Sequence, residues 1–78
     1  MTSLLNLKPE RVVKALERTG WKARKRTGGS HVHLFKEGNP YILTVPVHKG
    51  RDLKPGLLAG LLKKAGLTPE EFLNLYRD

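Results

Sequence analysis

The chain has 78 residues, a formal net charge of +8 at pH 7 and no cysteine. That length allows one domain, residues 1–78, with a core only just large enough to hold by packing, since disulfides and thiolate metal ligands are excluded. The opening residues carry no basic segment followed by a sustained apolar run, and no stretch nears the ~18 apolar residues of a membrane span, so a soluble, cytoplasmic protein without membrane attachment is expected.

A positive excess on so small a chain favours a polyanionic partner, most commonly nucleic acid. The alternatives are a solvated basic surface, an acidic protein or an anionic membrane. No five or six like charges run together, so this is not a disordered basic tail.

Residues 8–20 read as a helix: Pro9 suits the first turn, Glu10 complements the amino-terminal dipole, and Val12, Val13 and Leu16 share a stripe. Arg11, Lys14 and Arg18 fall off that stripe and are expected to be solvated, and Gly20 is the expected stop. From Trp21 to Thr27 the pattern alternates, with Trp21 and Ala23 inward and Lys22, Arg24 and Arg26 outward. These basic residues are phosphate contacts on one reading and charges protecting an edge strand on the other.

Gly28-Gly29 is expected to turn into a second strand, Ser30 to Glu37, followed by a third, Tyr41 to Val47. A two-residue hairpin turn at Gly38-Asn39 makes the numbers of paired residues sum to 77. Val32, Leu34, Tyr41, Leu43, Val45 and Val47 then share one face, which must be the buried one. His31, His33, Phe35, Ile42, Thr44, Pro46 and His48 share the open face, with His31 opposite Pro46 and one diagonal step from His48.

A basic loop, His48 to Asp52, leads to a helix from Pro55 to Ala65, with Leu57, Leu58, Leu61 and Leu62 as its buried stripe and Gly66 as its end. Its amino-terminal end, beside Lys49, Arg51 and Lys54, is a candidate anion site. Thr68-Pro69-Glu70-Glu71 is a capping box for a last short helix bearing Phe72, Leu73, Leu75 and Tyr76. The sum is an α+β domain in which helices cover one face of a three-stranded antiparallel sheet, the α-β-β-β-α order of double-stranded-RNA-binding domains.

Histidines on an open sheet face admit three roles. As metal ligands, His31 and His33 point the same way, but His48 lies farther from His33 and no cysteine or nearby acid completes a shell. As structural residues they would be surface groups or satisfied by hydrogen bonds. As general acid/base groups for RNA cleavage, an imidazole takes the proton of a ribose 2′-hydroxyl without a metal, and basic neighbours stabilise the charge on the phosphoryl oxygens.

Gly29-Ser30-His31, then Pro46-Val47-His48-Lys49, then Leu53-Lys54-Pro55-Gly56 before a leucine-rich helix, resemble the HicA family of toxin messenger-RNA interferases, also called YcfA-like. The resemblance runs from about Lys8 to Leu73. It implies a double-stranded-RNA-binding-like fold and a ribonuclease activity that halts translation, and with the imidazole chemistry above the expectation is a metal-independent endoribonuclease without cofactor. It also implies a type II toxin-antitoxin system with a HicB-type antitoxin covering the active site. The family's catalytic histidine falls on His31, with Ser30 and His48 as candidate supports. His48 stands at the family's second histidine, as acid, substrate contact or structural support. Lys22, Arg24, Arg26, Lys49, Arg51 and Lys54 would hold the RNA. Gly28 is an extra glycine before the motif, and His33 has no tie to it. The competing readings are a non-catalytic RNA-binding module of the same fold and a basic structural or protein-interaction domain.

Overall fold

The structure, a computed structural model, describes residues 4–25, 30–48 and 50–77. The expected Gly28-Gly29 turn lies outside these residues, as do Arg26 and Lys49 among the expected RNA contacts. The element order is α1 (Pro9–Glu17), β1 (Lys22–Lys25), β2 (His31–Phe35), β3 (Leu43–Pro46), α2 (Pro55–Ala65) and α3 (Pro69–Arg77). The strands form one antiparallel sheet in the order β1-β2-β3. This is the expected α+β architecture, consistent with a double-stranded-RNA-binding-like fold.

Alternation fixes the sheet. Val32, Leu34, Leu43 and Val45 are buried on one face, and the β2–β3 pairs His31↔Pro46, Val32↔Val45, His33↔Thr44 and Leu34↔Leu43 keep the predicted register. A slip of one residue would put Val32 and Leu34 on the opposite face from Leu43 and Val45 and send one of these pairs into water, at about 1.5–3 kcal/mol per side chain. The turn differs from expectation. Asn39 N–H bonds to Lys36 O at 3.1 Å and Gly38 has φ 85°, so the tight turn is centred on Glu37-Gly38. Asn39 Oδ1 then accepts the Tyr41 N–H at 2.8 Å. Tyr41, expected in the core, lies in this connection and is 52% exposed.

α1 and α2 pack on the apolar sheet face, and α3 packs on both helices. Val12 and Leu16 of α1, Leu58 and Leu62 of α2, Phe72 of α3 and Trp21 fill the core. α1 ends at Glu17, before the predicted residue 20, because the Thr19 and Gly20 amides turn back to the Leu16 and Glu17 carbonyls. Gly20, at φ 99°, then leads the chain away. α2 has its predicted limits and closes on a left-handed Gly66, with the Leu67 N–H on Leu62 O at 3.0 Å. Leu57, expected on the buried stripe, is 40% exposed, because Leu58, Leu61 and Leu62 suffice to face the core.

The capping box of α3 forms in both directions: Thr68 Oγ1 accepts the Glu71 N–H at 3.1 Å, and Glu71 Oε1 accepts the Thr68 N–H at 3.0 Å. Bonding to the Thr68 amide, and then to its hydroxyl, holds the Glu71 carboxyl below its ordinary range. At the other end of α3, Arg11 donates to Tyr76 O at 2.8 Å and Arg18 to Leu75 O at 2.9 Å. These arginines are exposed, as predicted, but they also satisfy carbonyls that the end of a helix leaves open, where positive charge is favoured.

Candidate active site on the open sheet face

β2 alternates in burial, so the faces of Val32 and Leu34 turn inward and those of His31, His33 and Phe35 outward. Beyond the last β2–β3 pair, Val47 donates its N–H to Ser30 O at 2.6 Å. This bond carries the ladder one residue past β3 and returns His48 to the side of His31. Their ring centroids are 6.2 Å apart at an interplanar angle of 81°, edge to face, and both residues are exposed. Ser30 contributes here through its carbonyl.

His33 has a different setting. Its Nδ1 lies 3.0 Å from Thr44 Oγ1, its cross-strand partner, and the residue is half-buried. That hydrogen bond ties β2 to β3 and supplies the structural role the sequence left open. Among the described residues no three His, Asp or Glu side chains are grouped to hold a metal ion.

After His48 the chain turns sharply. Arg51 N–H bonds to His48 O at 3.0 Å, and Gly50 supplies a left-handed φ of 79° that a side chain would resist. Leu53 N–H then reaches Leu7 O at 2.9 Å and fixes the approach to α2. Between this loop and α2 lies a concavity of about 330 Å³ lined by residues that include Pro46, His48, Arg51, Lys54 and Leu57. Asp52 also lines it, but the Lys8 ammonium bridges that carboxylate at 2.7 Å. The hydrogen bond to Asp52 and the attraction of its charge raise the Lys8 pKa. With Asp52 engaged, Arg51 and Lys54 dominate the local field. The first turn of α2 holds no acidic residue, and its open amides add to the positive potential.

The expected RNA contacts therefore fall into two groups. Arg51 and Lys54 lie beside His48, at the end of the sheet where His31 stands. Lys22 pairs across the sheet with Phe35 and Arg24 with His33, so they lie toward the far end of β2. There the Arg24 guanidinium carbon is 5.6 Å from the centroid of the Phe35 ring. Leu57 and Phe35, an apolar wall and an aromatic surface, are site features that sequence reasoning missed. Phe35 was legible as an open-face residue four positions after His31, whereas Leu57 was masked by its neighbouring leucines.

No helix among the described residues is long and apolar enough to cross a membrane. No curated protein matches the chain. The model of the family described as the HicA toxin of bacterial toxin-antitoxin systems matches residues 9–67, from the first residue of α1 to just past the end of α2. The matched span contains the whole sheet, both histidines and the concavity beside them, and the chain belongs to the HicA toxin family.

Proposed function

We propose that this toxin-family protein is a metal-independent endoribonuclease that cleaves messenger RNA in the cytoplasm, with His31 as general base. The observation that carries this reading is the exposed His31–His48 pair, 6.2 Å between ring centroids, beside the basic mouth formed by Arg51 and Lys54. His31 takes the proton of a ribose 2′-hydroxyl, whose oxygen attacks the adjacent phosphorus. The bond from phosphorus to the 5′-oxygen breaks, and His48 donates a proton to that leaving oxygen. The products are a 2′,3′-cyclic phosphate and a 5′-hydroxyl end. Arg51, Lys54 and the first turn of α2 stabilise the negative charge gathering on the phosphoryl oxygens.

Membership of a toxin-antitoxin family implies an antitoxin. A HicB-type partner would neutralise the toxin by covering the face that carries the histidines. The test is incubation of purified protein with messenger RNA in excess chelator, alongside His31→Ala. Cleavage should persist in chelator and vanish in the variant. A variant that cleaves at the wild-type rate would remove His31 from the chemistry, and RNA binding without any cleavage would make the protein a non-catalytic RNA-binding module.

A further inference from the structure

The far end of the open face has no task in cleavage, yet its composition is unusual for a plain solvated surface. Phe35 is 39% exposed, one step along the same face of β2 from His33 and four residues from His31. At about 3.3 Å per strand residue, it stands roughly 13 Å from His31 along the sheet. Lys22 faces it directly across the β1–β2 ladder, and the Arg24 guanidinium lies against its ring. Ile42, the residue before β3, adds an apolar side chain that is 53% exposed. An exposed ring beside two cations of the neighbouring strand offers a flat π-surface for a base and charges for its flanking phosphates. An apolar protein surface would leave those cations without partners, and the net charge of +8 favours the polyanion.

We infer that Phe35, with Arg24 and Lys22, forms a base-stacking subsite for single-stranded RNA, placed a few nucleotides along the strand from the phosphate at His31. The subsite rests on the reading that RNA is the substrate. It makes the substrate unpaired at that point, because a base inside a duplex cannot present its face to a side chain. Stacking tolerates every base, so the subsite contributes affinity and direction along the strand and little sequence preference. Arg24 holds the ring on one side by a cation–π contact and remains able to meet a phosphate.

The test uses binding, so that it stays independent of cleavage. A 2′-O-methyl hexauridylate, which has no attacking hydroxyl, is compared with an abasic oligomer of the same length and charge. Wild-type protein should prefer the base-bearing oligomer. Phe35→Ala should lose about five-fold or more of the affinity for it, with little effect on the abasic one. Phe35→Trp should keep the preference and Phe35→Leu should lose it, which separates stacking from mere apolar bulk. Arg24→Gln should reduce the slope of log Kd against log salt by about 0.7, the value of one single-strand phosphate contact. The subsite is overturned if Phe35→Ala distinguishes the two oligomers as well as wild type does, or if Phe35→Leu matches wild type. A loss confined to binding of a protein partner also overturns it. If the Phe35 series behaves as stated while His31→Ala still cleaves RNA, the subsite stands and only the catalytic assignment fails.

Discussion

Replacing His48 separates the roles open to it. Its ring stands edge to face against His31 with both residues exposed, so one can meet the attacking oxygen while the other meets the leaving oxygen. A positioned acid typically contributes 10²–10⁴-fold in rate, so His48→Ala should slow RNA cleavage by about a hundred-fold or more under single-turnover conditions. The cost should depend on the leaving group. A uridine 3′-phosphodiester of 4-nitrophenol needs no proton to release its phenolate, and on this substrate the same variant should lose only a few-fold. An equal loss on both substrates would refute proton donation and leave His48 as a substrate contact. Wild-type cleavage of RNA by the variant would remove His48 from the site altogether.

Other substitutions probe the scaffold. Leu43→Ala empties a fully buried position under the sheet and should cost about 2–5 kcal/mol in urea unfolding, a large share of the ~5–15 kcal/mol typical of a domain, whereas Tyr41→Ser should stay within about 0.5 kcal/mol. The Glu71 carboxyl is held below its ordinary value of 4.5, so its contribution to stability is complete above that pH and disappears as the pH falls through the lower folded-state value. Glu71→Gln, which keeps an acceptor for the Thr68 amide, should therefore lower Tm at neutral pH and flatten the acid limb of a Tm–pH curve, and a variant with an unchanged acid limb would show that the Glu71 charge contributes nothing.

The faces of the central hairpin were legible because strand side chains alternate strictly and Val32, Leu34, Leu43 and Val45 had to be buried together. The turn was not, since Gly38 supplies the left-handed residue equally well at the first or second central position, and only the Asn39–Lys36 hydrogen bond distinguishes the two. Register survived the error because burial, not the turn, sets it. The closeness of His31 and His48 followed from that register. The bridge from Lys8 to Asp52 did not, and neither did the bonds from Arg11 and Arg18 to α3, because their partners are 44 to 65 residues away in sequence. Leu57 was misplaced because four leucines at 57, 58, 61 and 62 fit a helical stripe wider than the surface that covers it.

The hydrogen bond from the Lys8 amide to the Tyr76 hydroxyl, at 2.9 Å, joins the entry to α1 with the last turn of α3. Those two helices lie side by side in the layer behind the sheet, so the flanks of the fold meet on the side away from the histidines. A fluorophore or surface tether attached on this side, for example through a cysteine replacing the exposed Asn74 of α3, would leave the open face clear for RNA, so single-molecule attachment can be made without re-engineering the site.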